Sequence, residues 1–233
     1  MEPKTAIVTA AGRGIGAAIA RELHTASYRL ALLSASGNAE TLAAELGGIG
    51  LTGSVTDPAA LERLVTTAMD TYGRIDAVVN NTGHAPKGDL LEIPDADWHT
   101  GLDLLLLNVV RMARLVTPIM QAQGGGAIVN ISTFAAFEPD LAFPVSSSLR
   151  AALGAFTKLF ADRYAADGIR MNSVLPGYVD SYPDSAALRE KIPMQRYGTV
   201  EELAATVRFL LSDEAGYLTG QNIRVDGGLT RSV

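Results

Sequence analysis

Residues 4–16 read KTAIVTAAGRGIG. The apolar, β-branched start of this stretch predicts a strand over 4–9, and the glycines that follow predict a tight turn into a helix from about Gly14. Glycines allow the backbone to approach a pyrophosphate closely, and the first NH groups of a helix favour an anion. A glycine-rich turn after a strand is equally typical of a simple connection, so its function depends on the rest of the chain.

The same alternation of apolar runs and helical patterns continues along the chain. Strands are predicted at 4–9, 28–33, 49–53, 75–79, 126–131, 169–174 and 222–225. Amphipathic helices are predicted at 14–27, 38–46, 58–72, 95–123, 147–166 and 200–211. Several strands are apolar throughout, as strands covered on both faces are. The pattern predicts an α/β fold with a parallel sheet and helices on both faces. Since no linker or repeat divides the chain, we expect one domain over residues 1–233.

The composition excludes several classes of protein. Of 233 residues, 48% are hydrophobic and 19% are charged, which is typical of a globular protein. There is no cysteine, and the three histidines lack the spacing of metal ligands, so we predict neither disulfides nor a metal site. A net charge of −6 disfavours nucleic acid as a partner. Because we find no leader peptide and no apolar run of membrane-spanning length, we expect a soluble, cytoplasmic protein.

Polar and glycine-rich segments follow four of the predicted strands. They are 9–16 (TAAGRGIG), 80–83 (NNTG), 132–133 (ST) and 175–178 (LPGY). In an open parallel sheet, ligands bind beyond the carboxyl ends of the strands, at the point where the strand order reverses. We therefore expect the four segments to meet in one crevice.

Taken together, these motifs resemble those of the short-chain dehydrogenase/reductase family over nearly the full length of the chain. TAAGRGIG is similar to the family's TGxxxGxG, NNTG to its NNAG and LPGYVDS to its PG loop; Asn108, IVNIST (128–133) and LTGQNIRVDGG (218–228) also match. The resemblance implies a Rossmann-like three-layer sandwich, with seven parallel strands in the order 3-2-1-4-5-6-7, and a bound nicotinamide dinucleotide. Ala10 stands where the family has its first glycine.

The resemblance also implies a set of cofactor-binding positions. Carried over by position, they are Arg13, Gly14, Ile15, Gly16, Ser34, Ser54, Val55, Asn81, Thr82, Gly83, Arg150, Pro176, Gly177, Val179 and Ser181. An acidic residue near the end of the second strand normally binds the ribose 2′-hydroxyl of NAD and repels the extra phosphate of NADP. Here Ser34 occupies that place and Arg13 supplies positive charge nearby, so we predict NADP rather than NAD.

The catalytic positions depart from the family's pattern. The family uses a Ser, a Tyr and a Lys, the last two as Tyr-x-x-x-Lys. With Thr133 in the serine position, the family's spacing places Ser146 at the tyrosine and Arg150 at the lysine. An alkyl hydroxyl is a far weaker acid than a phenol, whose pKa is about 10. Arg150 keeps a positive charge that can hold the ribose, but it stays protonated at any working pH.

The remaining catalytic candidates are polar residues near the predicted crevice. Asn108, in the fourth long helix, matches a family position, and His84 directly follows NNTG. A histidine, with a pKa near 6.5, suits proton transfer. Water and Tyr178 are alternative sources of the proton. Tyr182, Glu138 and Asp140 are further candidates, although a surface role is the simpler interpretation of each.

These observations leave three functional hypotheses open. The first is an atypical, NADP-preferring oxidoreductase that acts on a small-molecule carbonyl or alcohol. The second is a non-catalytic NADP(H)-binding protein, either a sensor or a partner subunit. The third is an elimination or isomerisation with a structural cofactor. Halohydrin dehalogenases also carry arginine in place of the lysine, but they keep the tyrosine and lose the glycine-rich loop. The helices at 95–123 and 147–166 resemble those through which the family forms homodimers and homotetramers.

Overall fold

The computed structural model describes residues 3–232, and its central feature is one parallel sheet of seven strands. The strands are β1 (Thr5–Thr9), β2 (Arg29–Ser34), β3 (Ile49–Thr52), β4 (Ala77–Asn80), β5 (Gly126–Ile131), β6 (Ile169–Pro176) and β7 (Asn222–Val225). Their spatial order is β3-β2-β1-β4-β5-β6-β7, as the resemblance implied. The order reverses between β1 and β4, so a crevice is expected at the carboxyl ends of these two strands.

Helices connect the strands and cover both faces of the sheet. They are α1 (Gly14–Thr25), α2 (Asn38–Leu46), α3 (Pro58–Tyr72), α4 (Asp95–Leu102), α5 (Asn108–Ala122), α6 (Pro144–Tyr164), α7 (Ala186–Arg189) and α8 (Val200–Leu211). Ala6 and Val8 of β1 pack in a core with α1, α2 and α8. Ile7, between them, packs in a second core with α3, α5 and α6. Alternate side chains of a strand point to opposite faces, so the three-layer sandwich follows from this pattern.

Two helices differ from the sequence prediction. The helix expected over 95–123 is divided, because a π-helical segment (Asp103–Leu107) separates α4 from α5. Such a segment inserts an extra residue into a turn, and no proline or glycine in the sequence marks it. The helix expected from Ser147 begins at Pro144, because proline fits the first helical turn, where its missing NH is not needed. Ser146 therefore belongs to the first turn of α6.

Neither a membrane span nor a cluster of metal ligands is found in the described residues. Within residues 3–232, no helix is both long and apolar enough to cross a bilayer. The same residues contain no group of three His, Cys, Asp or Glu side chains that could hold a metal ion.

Candidate active site

A cleft of about 940 Å³, open to solvent, lies at the carboxyl ends of the central strands. All four segments that were expected to meet contribute to its walls. Predicted site residues that line it are Ile15, Asn81, Thr82, Gly83, His84, Thr133, Ser146, Arg150, Pro176, Gly177, Val179 and Ser181. The tertiary structure thus brings together residues that are up to 166 positions apart along the chain (181 − 15).

The other predicted residues do not line this cleft. They are Arg13, Gly14, Gly16, Ser34, Ser54, Val55 and Asn108. Asn108 is buried at the start of α5, directly after the π-helical segment, and its side-chain oxygen accepts a hydrogen bond from the Val109 amide at 2.6 Å. Ser54 pairs its hydroxyl with that of Thr56 in the loop after β3. Their expected contacts with a cofactor or substrate therefore remain predictions.

The glycine-rich turn after β1 is closely packed against the loop after β4. A Cβ on Gly16 would lie 2.3 Å from the Ala10 carbonyl oxygen, so only glycine fits there. Gly14 has a φ of +52°, which also favours glycine. Ala10 has a φ of +46°, so this residue carries a side chain in the left-handed region. The turn keeps the shape of a phosphate-binding loop despite the alanine.

Thr9 fixes the position of the NNTG segment. Its hydroxyl donates to the Asn81 carbonyl at 2.7 Å and accepts from the Asn81 amide at 2.9 Å. The Asn81 side chain in turn donates to the Ala10 carbonyl at 3.3 Å. The two loops at the reversal of strand order are therefore held together by hydrogen bonds.

A buried polar chain beneath the cleft was not predicted from the sequence. Asn80 donates to Asn130 at 2.9 Å, and Asn130 donates to Thr157 at 3.2 Å. The Thr157 hydroxyl pairs with that of Ser173 at 2.9 Å. The chain joins β4, β5, α6 and β6, and it holds the strand ends that carry the site residues in register. The only available signal was an asparagine inside each of two otherwise apolar strands.

The wall of the cleft contains polar groups and open space that suit a dinucleotide. The Thr82 hydroxyl is buried and has no hydrogen-bond partner among residues 3–232. A Cβ on Gly83 would meet no protein atom within 4 Å. A Cβ on Gly14 would lie 3.5 Å from that of Ser181, so the glycine turn and the loop after β6 face each other at close range. Exposed backbone NH groups and small polar side chains of this kind are groups that bind phosphate.

Arg150 places a buried positive charge at the inner end of the cleft. It is 8% exposed, and its Nη1 donates a hydrogen bond to the Ile131 carbonyl. No carboxylate among residues 3–232 forms an ion pair with it. Burial lowers the pKa of Arg150 to about 10, so it remains cationic at neutral pH. A buried cation without a partner is costly unless a ligand contacts it.

Ser146 and Thr133 present hydroxyl groups to the same cleft. Both residues are half-buried. The Thr133 hydroxyl accepts a hydrogen bond from the Ala135 amide at 3.4 Å and can still donate to a ligand. The two hydroxyls can therefore hydrogen-bond to a ligand oxygen in the cleft.

Aromatic rings form one side of the cleft. The Tyr178 ring packs against Phe134, with centroids 5.5 Å apart, and against Tyr182, with centroids 5.6 Å apart. Tyr182 meets His84 edge-on at 6.5 Å. Burial raises the pKa of Tyr178, with Asp140 as the next cause, so its phenol stays protonated. Burial lowers the pKa of His84, and the charges of Lys87, Arg150 and Arg13 lower it further.

The two acidic candidates do not line the cleft. The Glu138 carboxylate accepts hydrogen bonds from the Arg231 and Ser232 amides at 2.6 Å, so it binds the C-terminal segment. Asp140 accepts a hydrogen bond from the Ala142 amide at 2.8 Å. Both carboxylates therefore bind main-chain amides outside the lining of the cleft.

Ser34 lies beneath the glycine turn rather than in the open site. Its hydroxyl donates to the Ser36 carbonyl and accepts from the Ala39 amide at 3.1 Å, next to the start of α2. It is 6% exposed. A small hydroxyl residue fits here without introducing a negative charge.

A family model described as enoyl-(acyl carrier protein) reductase matches residues 9–230. The chain belongs to the short-chain dehydrogenase/reductase family. This family comprises oxidoreductases, and a 3-oxoacyl-(acyl-carrier-protein) reductase of Synechocystis is 33% identical over 97% of this chain and 96% of its own length. FabG of Escherichia coli, with the same activity in its name, is 32% identical over 98% of both chains. Oxidoreductase UcpA of Salmonella typhimurium is 35% identical over 97% of this chain and 94% of its own length.

The structure places Ser146 and Arg150, the two residues expected at the family's Tyr and Lys positions, in the first two turns of α6. Both residues line the cleft, together with Thr133. The structure adds Lys87 and Phe143 to the wall, which the sequence did not single out. Neither lies in a motif, so no sequence signal was available for them.

Proposed function

We propose that this protein is an NADP(H)-preferring oxidoreductase that acts on a carbonyl or alcohol substrate, with Ser146 and Arg150 in place of the catalytic Tyr and Lys. The observation that carries the proposal is the cleft that nine of the fifteen predicted cofactor-binding positions line together with Thr133 and Ser146. Within it, a substrate oxygen can lie close to the place where a nicotinamide is expected.

The cofactor would occupy the crevice between the glycine turn and the loop after β6. Gly14, Ile15 and Gly16 would approach the pyrophosphate, and Ser54 and Val55 would flank the adenine. Asn81 to Gly83 would face the ribose, and Pro176, Gly177, Val179 and Ser181 would hold the nicotinamide side. When bound, the nicotinamide supplies or accepts the hydride.

The preference for NADP rests on charge. No acidic side chain stands at the Ser34 position at the end of β2, and exposed Arg13 adds a positive charge at the glycine turn. A carboxylate there would repel a ribose 2′-phosphate, whereas a guanidinium attracts it. Replacement of Arg13 by alanine is expected to weaken NADPH binding more than NADH binding in a titration of cofactor fluorescence.

The proposed reduction lacks the phenol that supplies the proton in the rest of the family. In reduction, Thr133 and Ser146 would hydrogen-bond the carbonyl oxygen while the hydride reaches its carbon, and water, Tyr178 or protonated His84 would supply the proton to that oxygen. His84 is neutral at pH 7, and Tyr178 is a protonated but weak acid. Loss of a positioned acid costs about 10²–10⁴ in rate, so slow turnover is expected. In the oxidation of an alcohol, neutral His84 can accept the proton instead.

A non-catalytic NADP(H)-binding protein is the alternative, and the replacement of the phenol and ammonium by Ser146 and Arg150 favours it. Titration with NADPH followed by a screen of carbonyl compounds separates the two. The screen includes a 3-oxoacyl thioester, because relatives are named for that substrate class. Binding without turnover of any substrate at high protein concentration would reject the oxidoreductase and support the alternative.

A double substitution tests the assignment of the two positions. Ser146→Tyr with Arg150→Lys is expected to raise the reduction of simple carbonyls, because it restores a phenol beside an ammonium group. The single Ser146→Tyr variant is the matched control, since it lacks the ammonium that lowers the pKa of a phenol. Equal rates in wild type and double variant would show that the missing acid does not limit the reaction.

The proposal extends to the domain organisation, the cellular location and the oligomeric state of the protein. We propose that residues 1–233 form one dinucleotide-binding domain, and that the protein is a cytoplasmic homodimer or homotetramer. The support for the oligomer is the resemblance of the helices at 95–123 and 147–166 to those through which the family forms dimers and tetramers. Light scattering coupled to size-exclusion chromatography tests this, because a monomeric mass would contradict it.

A further inference from the structure

Lys87 occupies the rim of the cleft without an assigned role. It follows the NNTG segment by four residues, and its Nζ lies 4.6 Å from the centroid of the Phe143 ring. Phe143 directly precedes α6, and Ser146 lies in the first turn of that helix. A cation over an aromatic face is held there by the ring's quadrupole. The ammonium is thereby kept on the side of the cleft that carries the Ser146 hydroxyl.

The cationic side chains that line the cleft are Lys87 and Arg150. Neither Asp nor Glu occurs among the residues that line the cleft. Within residues 3–232, Lys87 forms no ion pair. Asp140 does not line the cleft, and its charge contributes to the raised pKa of Tyr178. Lys87, Arg150 and Arg13 all disfavour the protonated form of His84. A positive cleft in a chain of net charge −6 is a specific local arrangement, since the chain as a whole would repel anions.

The dinucleotide accounts for two of these three cations. Arg13 belongs to the glycine turn that would approach the phosphates, and Arg150 would hold the ribose. Lys87 lines the same cleft and packs on Phe143, and no cofactor position corresponds to it. Its positive charge is therefore available to the second ligand, the substrate.

We propose that the substrate is a short oxo acid, or the corresponding hydroxy acid, whose carboxylate binds Lys87 while its carbonyl oxygen meets Ser146 and Thr133. This assignment rests on the proposed function, since it names the substrate class of the same site. Phe143 and Ser146 are three residues apart at the start of a helix, a separation of about 5 Å. A carboxylate and a carbonyl a few bonds apart would span the distance between the two contacts.

The test compares an acid with its neutral ester. The probes are 5-oxohexanoate and methyl 5-oxohexanoate, measured by calorimetric binding to protein saturated with NADP+, which cannot reduce the carbonyl, and, separately, by NADPH oxidation. Wild type is expected to bind the acid about fivefold more tightly than the ester, because an accessible ion pair contributes that much. Added salt is expected to reduce the preference. Lys87→Met is expected to abolish it without weakening the ester, and Lys87→Arg to retain it.

Lys158→Met is the matched control, because it removes an exposed lysine on α6 that is paired with Asp162 and distant in sequence from the cleft-lining segments. Equal binding of acid and ester by wild type would overturn the inference, as would a preference that persists in Lys87→Met or disappears in Lys158→Met. Reduction of the ester and the acid at equal efficiency would overturn it while leaving the proposed function intact. Lys87-dependent binding of the acid without any turnover would support the inference and reject the oxidoreductase.

Discussion

The guanidinium of Arg150 donates a hydrogen bond to the main-chain carbonyl of Ile131, the last residue of β5. This bond connects α6 to the strand whose end carries Ser132 and Thr133. It uses one of the five donors of the guanidinium. The remaining donors belong to a side chain that lines the cleft and has no carboxylate partner in residues 3–232. The fold therefore holds the Arg150 side chain in place, but its positive charge has no carboxylate partner in the described residues and is available to a ligand.

The substitution Arg150→Met should weaken the binding of NADPH without lowering the stability of the protein. Removing a buried charge without an ionic partner is expected to leave the melting temperature unchanged or raised, because the desolvation cost disappears. NADPH affinity should fall about tenfold, since a hydrogen bond to a charged group is lost. Differential scanning fluorimetry and calorimetric titration measure the two effects.

Arg170→Met is the control for this substitution. Arg170 is a half-buried guanidinium that donates to the carbonyls of Leu210, Ser212 and Leu218 at 2.8–3.3 Å. Its replacement should lower the melting temperature and leave NADPH affinity unchanged. A marked destabilisation by Arg150→Met, comparable to that of Arg170→Met, would show that Arg150 serves the fold.

Ala10→Gly should stabilise the protein. Ala10 has a φ of +46°, where a Cβ is unfavourable and glycine is not. We expect the free energy of unfolding to rise by about 0.5–1 kcal/mol, after the larger entropy of glycine in the unfolded chain is subtracted. Urea denaturation measures the change. Ala11→Gly is the comparison: Ala11 is fully buried with no positive φ, so the same substitution should cost about 1 kcal/mol. If Ala10→Gly and Ala11→Gly both lowered the free energy of unfolding, the interpretation that Ala10 is strained would be wrong.

Thr82→Val tests whether the unpartnered hydroxyl serves a ligand. The change keeps the shape of the side chain and removes a buried polar atom without a partner, so stability should stay equal or rise by about 1 kcal/mol. If the hydroxyl contacts the dinucleotide, NADPH affinity falls severalfold. Thr117→Val, which removes a similarly unpartnered hydroxyl on α5, should have the same effect on stability and none on affinity. Unchanged affinity in both variants would exclude Thr82 from the cofactor site.

His84 should titrate below the ordinary range for histidine. Burial and then the positive charges of Lys87, Arg150 and Arg13 lower its pKa from the usual 6.5, so the imidazole is neutral at pH 7. The unfolded chain then takes up a proton before the folded one does, and acidification through pH 6.5 should cost stability in wild type but less in His84→Gln. NMR titration of the imidazole gives the pKa directly. Lys87→Met should move it upward, and a wild-type midpoint above 6.5 would refute the electrostatic description.

The sequence predicts the overall fold more fully than it predicts the helices that border the site. The strand order was implied by the resemblance, and the apolar run Ala6–Val8 predicted a strand covered on both faces, as the two cores around β1 show. By contrast, the π-helical segment before Asn108 and the early start of α6 at Pro144 were not expected. Both depend on how a helix packs against its neighbours, which a local pattern does not contain.

The amino-acid sequence by itself determined the α/β architecture and the segments that border the crevice, because strand and helix patterns are local and each connection can be identified from its turn residues. Only the tertiary structure decided the environment of the reactive groups. The absence of acids from the lining of the cleft, the burial of Arg150 against Ile131 and the lowered pKa of His84 all arise from residues far apart in the chain. Desolvation and Coulomb interactions depend on distance in space, and this distance is set only when the chain has folded.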